Sequence, residues 1–151
     1  MKEIGADRWT RFLAVYVAIL ASALGVVSML GNNASEEATR QAIDAANFFA
    51  WYQAKTTRQQ IAGNSSTLAQ RYETERRELL EKANAATSAR ESASKRDRHY
   101  DFAITLLQIA VALAAAEILM NGLLLFTISF LLFAAAGTVS AIAIQMEGFS
   151  L

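Results

Sequence analysis

An apolar run near the carboxyl end constrains the fold of this chain more than any other feature. Between Asp101 and Gln145 the sequence carries a single charged residue, Glu117. About 20 predominantly apolar residues are enough to cross a bilayer as an α-helix, and this run is about twice as long. It is therefore too long for one membrane span.

The middle of this run contains the signal for a turn. Asn121-Gly122 places a polar residue beside a flexible one, and this dipeptide is typical of turns. We therefore expect residues 101–146 to form a transmembrane helical hairpin. Its helices are predicted at roughly 102–119 and 123–145, with the turn near 120–122.

A further apolar segment, residues 12–30, contains no charge and is long enough to span a bilayer. It follows a short polar head, residues 1–11. A cleaved signal peptide has a shorter apolar core that ends at a small-residue cleavage site. Gly31-Asn32-Asn33 follows here instead, which favours a membrane helix that is retained.

Residues 33–100 are polar and are predicted to form an extramembrane antiparallel helical hairpin. The whole chain has no Pro and 7 Gly, so it contains few helix breakers. Asn33 and Glu36 have the spacing of a capping box and predict that a helix starts there. Gly63-Asn64-Ser65-Ser66 interrupts the helical pattern and predicts a turn near 62–66.

Both helices of this hairpin show apolar residues at spacings of three and four, which is the helical period. These residues are Ala34, Ala38, Ala42, Ala45, Phe49 and Tyr52, then Leu68, Tyr72, Leu79, Ala83, Ala86 and Ala93. Two pairs four apart place the acid before the base, Glu73–Arg77 and Glu78–Lys82, the better order for helix stability. No Gly or Pro lies between Ser66 and Met120. The second helix is therefore predicted to continue into the membrane as one rod of about 55 residues.

The fold class that follows is an all-α membrane protein with three transmembrane helices and a long extramembrane helical hairpin between the first and the second. Residues 147–151 form a short tail. Membrane lipids are then expected partners of the three apolar helices.

The orientation of this arrangement depends on the basic residues near the spans. Three of them precede the first span, Lys2, Arg8 and Arg11, and favour a cytoplasmic amino terminus. Another three precede the second span, Lys95, Arg96 and Arg98, and favour the opposite orientation. The first helix usually dominates, and charge bias weakens over segments longer than about 60 residues. We expect the amino terminus in the cytoplasm and the hairpin outside.

Composition excludes several classes of protein. The formal net charge is +0, whereas a nucleic-acid binder shows a basic excess. The chain has no Cys, so it forms no disulfide and has no thiol nucleophile. It contains no GxGxxG or GxxxxGK[ST] phosphate loop and no serine elbow. No nucleic acid, no cofactor and no enzymatic activity are therefore expected.

The single His, between two Asp residues, raises the question of a metal site. His99 lies between Asp97 and Asp101. On a helix, residues two apart point about 200° away from each other, so His99 lies opposite the two carboxylates. A solvated collar of charges next to the membrane is the better interpretation.

Polar residues within the apolar run can hydrogen-bond across helices or mark an ion pathway. Gln108 is a candidate for helix packing, whereas Glu117 and Glu147 lie near span ends, where they are expected to reach water. Gln108 and Glu117 are nine residues apart, about 180° around the helix, so one pore-facing line does not contain both. An ion pathway stays the alternative.

Small residues four apart occur in every predicted span and allow membrane helices to approach closely. These pairs are Ala21 and Gly25, Ala110 and Ala114, and Gly137 and Ala141. They favour a compact bundle or a homo-oligomer.

Two stretches resemble a known family. Residues 47–56, Asn-Phe-Phe-Ala-Trp-Tyr-Gln-Ala-Lys-Thr, resemble its Trp-x-Tyr-Gln-Ala-Lys-Ser signature, although Trp and Tyr are adjacent here and Thr56 replaces Ser. Residues 99–103, His-Tyr-Asp-Phe-Ala, with 106–111 after them, resemble its second signature. The family is a set of bacterial membrane proteins described as domain of unknown function 4337.

The resemblance implies a span, a helical region and two closing spans, and no activity. It also implies which positions to examine for helix packing; with Phe49 from the apolar stripe, they are Trp51, Tyr52, Gln53, Lys55, Asp101 and Gln108. We expect a non-enzymatic component of the bacterial inner membrane that packs through these helices. It would be a homo-oligomer or a subunit of a larger membrane complex. The alternative is an oligomeric channel or conduit.

Overall fold

The computed structural model describes residues 2–62, 66–120 and 123–148, and all of them are helical. Helix α1 comprises Lys2–Ala62, α2 comprises Ser66–Met120, and α3 comprises Leu123–Gly148. An all-α chain is what the lack of Pro predicts, because nothing in these segments removes a helical N–H or clashes with the preceding turn. The uninterrupted helix expected from Ser66 to Met120 is confirmed.

The two expected turns fall in the gaps between the described helices. Residues 63–65 and 121–122, on which the predicted turns near 62–66 and 120–122 fall, lie outside the described residues. The same holds for residues 149–151 of the expected tail, whereas residues 147 and 148 still belong to α3.

The helix start expected at Asn33 is wrong, because α1 continues through this position from Lys2 to Ala62. A capping residue starts a helix only where the preceding backbone leaves the helical conformation. Gly31, Asn32 and Asn33 are weak helix formers, but each costs only about 1 kcal/mol or less relative to Ala inside a helix. No Pro forces a break, so the flanking helical segments continue across them.

The chain divides into two units. The three-helix unit contains residues Met1–Asn33 and Arg96–Leu151, and the two-helix unit contains Ala34–Lys95. All three helices are long and apolar enough to cross a membrane. Their apolar stretches lie in the three-helix unit, which is therefore the part with the character of a membrane bundle.

The core of the three-helix unit is built largely from small side chains on α2 and α3. Ala103, Ala110 and Ala114 are fully buried, and Ala136 and Ala143 of α3 are buried as well. Larger residues of α1 fill the remaining space, among them Leu13, Tyr16 and Leu20. Alanines at contact positions let helix backbones approach closely, which suits packing in lipid.

One buried hydrogen-bond network connects all three helices of this unit. The Ser129 hydroxyl donates to the backbone carbonyl of Ala110 at 2.8 Å, and it lies 3.2 Å from the Tyr16 hydroxyl. Because Ser129 has a single proton to donate, Tyr16 must be the donor in the second bond. Phe126 packs against Tyr16 with ring centroids 5.2 Å apart. This network fixes the height of α1 and α3 against α2.

Gly31 marks a close approach of α1 to α2. A Cβ atom added at Gly31 would lie 3.2 Å from Tyr100 Cβ and 3.5 Å from Ile104 Cδ1. At Gly25 the same atom would meet none of the described residues within 4 Å. Gly31 therefore permits a contact that a larger side chain would prevent, whereas Gly25 has room for one.

We expect Gly31→Leu to destabilise the three-helix unit by roughly 1–3 kcal/mol, since overpacking forces the two helices apart. Gly25→Leu is the matched control, because the position is open, and it is expected to stabilise by roughly 0.5–1 kcal/mol through helix propensity alone. Apparent melting temperatures of the detergent-solubilised protein, followed by circular dichroism, measure both. Equal melting temperatures for Gly31→Leu and the unchanged chain would contradict the close contact.

The two-helix unit has an unusual core. Its buried apolar residues, among those the structure describes, are all alanine: Ala34, Ala45, Ala83, Ala86 and Ala93. Several of its large apolar side chains are exposed instead: Ile43, Phe49, Trp51, Ile61 and Leu80. Alanine contributes little apolar area, so this unit gains less from burial than a helical pair with leucine in its core.

Candidate interaction site

A cluster of side chains holds α1 and α2 together in the two-helix unit. The Lys55 ammonium donates a hydrogen bond to the Glu75 carboxylate, and the same carboxylate accepts one from Arg71 at 3.0 Å. Lys55 Nζ also lies 5.4 Å from the centroid of the Tyr72 ring, within the range of a cation–π contact. One lysine of α1 therefore contacts two residues of α2.

A second set of contacts lies beside the first. The Arg76 guanidinium is 5.7 Å from the centroid of the Tyr52 ring and donates a weak hydrogen bond to the Gln59 side chain at 3.4 Å. We call these residues together the Lys55 cluster: Tyr52, Lys55, Gln59, Tyr72, Glu75 and Arg76. Its members come from both helices, so the cluster fixes their register where the alanine core offers no interlocking large side chains.

Electrostatics of the cluster centre on Glu75. The hydrogen bond from Lys55 holds the pKa of the Glu75 carboxyl below its usual value, and the bond from Arg71 adds to this effect. A carboxyl whose pKa is lower in the folded state than in the unfolded state stabilises the fold above its unfolded pKa, which is about 4.3. This contribution is lost as the pH falls through the lower, folded pKa.

We therefore expect acid to loosen the two-helix unit, and Glu75→Gln to reduce that pH dependence. The measurement is thermal unfolding followed by circular dichroism between about pH 3 and pH 7, below and above the unfolded pKa. Glu81→Gln is a suitable control, because Glu81 is exposed and its substitution leaves the Lys55 cluster intact. An identical acid response in Glu75→Gln and the unchanged chain would show that Glu75 is not the group responsible.

Trp51 lies beside the Lys55 cluster at the edge of a shallow groove. The groove has a volume of about 220 Å³ and is lined by Trp51, Lys55, Glu75, Glu78, Leu79 and Lys82. Trp51 is 60% exposed and contacts Phe48 edge-on at a centroid distance of 6.1 Å. An indole this exposed on a helical surface is a strong candidate for contact with another molecule, since tryptophan is enriched at interfaces.

The structure separates the residues singled out by the first signature into two groups. Tyr52 and Lys55 face α2 of the same chain and belong to the Lys55 cluster. Phe49, Trp51 and Gln53 lie on exposed parts of α1. The first group contacts α2 across the pair, whereas the second is largely exposed on the surface of α1.

The second signature lies at the start of the apolar part of α2. Asp101 and Gln108 are both exposed. Asp97 is partly buried, and burial raises the pKa of its carboxyl, with a further contribution from the nearby charge of Asp101. Among the described residues no group of three His, Asp or Glu side chains could hold a metal ion.

The small-residue pairs also differ in where they lie. Ala110 and Ala114 are fully buried inside the three-helix unit. The members of the other two pairs are exposed: Ala21, Gly25, Gly137 and Ala141. Of the three pairs, the one on α2 therefore packs helices of the same chain.

The burial of Glu117 contradicts one expectation. We expected its side chain to reach water near a span end, yet it has 0% exposure, and neither carboxylate oxygen has a hydrogen-bond partner within the described part of the chain. The physical reason is its helical position. Glu117 follows Ala110 by seven residues and Ala114 by three, so it lies on the same inward face of α2. Gln108, on the opposite face, is exposed.

Sequence reasoning found some contacts of this site and missed others. The pairs Glu73–Arg77 and Glu78–Lys82 are confirmed, at 2.7 Å and 2.6 Å. Lys55–Glu75 was missed because it joins two helices, and the sequence does not fix their register. The burial of Glu117 had a signal, its spacing from the two alanines that precede it.

Comparison with known proteins identifies a family and nothing more specific. No curated protein and no solved structure matches this chain. The sequence profile of the family described as domain of unknown function (DUF4337) matches residues 9–71 and 62–146, which together are most of the chain. The chain therefore belongs to the DUF4337 family.

Proposed function

We propose that this protein is a non-enzymatic component of a membrane, and that it acts by packing its helices against further copies or against the subunits of a larger complex. The observation that carries this proposal is that the two-helix unit buries small side chains and exposes large apolar ones. Among its described residues the buried apolar side chains are alanines, while Ile43, Trp51 and Leu80 are exposed. Because little apolar area is buried inside the unit, contact with a partner is what would bury these larger side chains.

In this proposal the apolar stretches of all three helices cross the bilayer, and the two-helix unit stands outside it as an antiparallel hairpin. The amino terminus lies in the cytoplasm, which Arg8 and Arg11 before the first apolar stretch support. The compartment we propose is the bacterial inner membrane. Lipids then cover the apolar surface of the three-helix unit, where Ile19, Ile109 and Ile142 are exposed.

The test is the mass and composition of the particle extracted in mild detergent, read by native mass spectrometry. We expect either a homo-oligomer or a stoichiometric complex with foreign membrane subunits. A monomer that carries only lipid and detergent would contradict the proposal.

A channel or conduit is the second candidate, and Gln108 is the residue on which it depends. Gln108 and Thr105 are exposed on the three-helix unit, so they would line a pore only between copies. The Thr105 hydroxyl donates to the Asp101 carbonyl of its own helix, which leaves Gln108 as the stronger polar group. Ion flux into liposomes that disappears in Gln108→Leu would favour the channel over passive assembly.

A further inference from the structure

The outward face of α1 in the two-helix unit carries a seam with the spacing of a coiled coil. Its residues follow one another at intervals of four and three: Ile43, Asn47, Ala50, Ala54, Thr57 and Ile61. This alternation keeps the six residues along one edge of the helix, which is the edge that a coiled coil turns toward its partner. Ile43 follows the buried Ala34 by nine residues, about 180° around the helix, so the seam points away from the face packed on α2.

All six seam residues are exposed, with Ile43 at 56% and Ile61 at 81%. From either end the seam begins with Ile, then a polar residue, then Ala. The order of its side chains is therefore nearly the same in both directions. When two such helices meet antiparallel, Ile43 faces Ile61 of the second copy, and Ala50 faces Ala54. Asn47 then faces Thr57 of the second copy, so the polar positions also meet each other.

One flank of the seam carries charges that fit this arrangement. Asp44, Trp51 and Arg58 are spaced seven apart, so they lie in one row beside the seam. All three are exposed. Antiparallel pairing brings Asp44 of each copy to Arg58 of the other and places the two Trp51 rings together at the two-fold axis. Parallel pairing brings like residues to the same level and forms neither ion pair.

Asp44 and Arg58 are available for such pairs. Within the described part of the chain neither of them has an ion-pair or hydrogen-bond partner, whereas their neighbours Arg40 and Lys55 are paired with Glu36 and Glu75. With respect to the described residues, the acid and the base on this flank therefore have no partner.

From the seam and its flank we infer that the two-helix unit binds a second copy of this chain antiparallel through the outer face of α1, with paired Asp44–Arg58 contacts and Trp51 at the centre. This inference rests on the proposed function and names the partner and the register.

The test uses two charge variants, each of which should weaken its own homodimer, while a mixture of the two should restore pairing. In the homodimer of Asp44→Arg, the new arginine faces Arg58 of the other copy. In the homodimer of Arg58→Asp, the new aspartate faces Asp44 of the other copy. Each variant alone should weaken the dimer by about tenfold or more, since two attractive pairs become repulsive. An equimolar mixture restores both ion pairs across the heterodimer, so pairing should return to the level of the unchanged chain.

Circular dichroism first checks that both variants keep their helicity. Sedimentation in detergent then measures the dimer of each variant alone and of the mixture. Because the chain has no Cys, Ile43→Cys adds a check on direction. It should cross-link to Ile61→Cys and not to itself.

Three outcomes overturn the inference. A dimer that is indifferent to either charge, a mixture that does not recover, or self-cross-linking of Ile43→Cys would each contradict the antiparallel contact. If foreign subunits co-purify while copies do not pair, the inference fails and the proposed assembly role stands. If the protein is a monomer without partners, both fail.

Discussion

Ala114→Leu is expected to destabilise the three-helix unit more than the same change at any exposed position of α2. Ala114 has 0% exposure and lies on the face of α2 that packs within this unit. Because this position is closed to solvent, the three added carbons of leucine must displace neighbouring side chains or helices, and overpacking of this kind costs about 1–3 kcal/mol or more. For a chain of this size, that corresponds to a fall in melting temperature of roughly 2–12 °C.

The adjacent residue supplies the control. Ala115 is exposed, so Ala115→Leu adds the same side chain to the same helix without filling the core. We expect its melting temperature in detergent to stay close to that of the unchanged protein. Equal losses in both variants would mean that the inward face of α2 has been assigned wrongly.

Glu117→Leu is expected to have the opposite sign and to stabilise the protein. The Glu117 carboxyl is fully buried, and neither oxygen accepts a hydrogen bond from any residue that the structure describes. An unpartnered polar group of this kind costs about 1–3 kcal/mol. A leucine of similar size removes that cost, so the melting temperature should rise by roughly 2–12 °C.

Glu117→Gln separates charge from shape in the same position. The amide keeps the length of the side chain but is still polar and without a partner, so we expect a smaller rise than for leucine. Loss of stability in Glu117→Leu would show that the carboxyl has a partner that the isolated chain lacks. Such a partner would make Glu117 a functional residue, as buried ionisable groups in membrane helices often are.

The ends of the helices could be predicted well from the sequence because short stretches of polar residues and Gly mark them. No Gly or Pro lies between Ser66 and Met120, and α2 has these same ends. Whether a helix starts at Asn33 or continues through it could not be decided in this way, since the free energies of the two conformations differ by only about 1 kcal/mol. The flanking helix outweighed the local signal.

Contacts between helices were beyond the sequence for a different reason. Lys55 could meet several acids on α2, and only the packing of the alanine faces selects Glu75. Tyr16 and Ser129 are 113 residues apart, and no pattern links them. Periodicity predicts which face of a helix is buried, and it does not predict which residue lies opposite.

Membrane placement is the claim on which the proposed role depends, and cysteine accessibility tests it most directly, because the chain has no Cys of its own. Ile19, Ile109 and Ile142 are all exposed on the three-helix unit, so only lipid or a partner can shield cysteines placed there. Thr39 and Asn84 are exposed on the two-helix unit.

Single cysteines at these five positions are treated with a membrane-impermeant maleimide in sealed vesicles, then again after detergent is added. We expect Thr39→Cys and Asn84→Cys to react from the same side of the vesicle. The three isoleucine positions should react only after detergent removes the lipid. Reaction of Ile19→Cys, Ile109→Cys and Ile142→Cys in intact vesicles would contradict the membrane bundle, and with it the assembly role proposed for this protein.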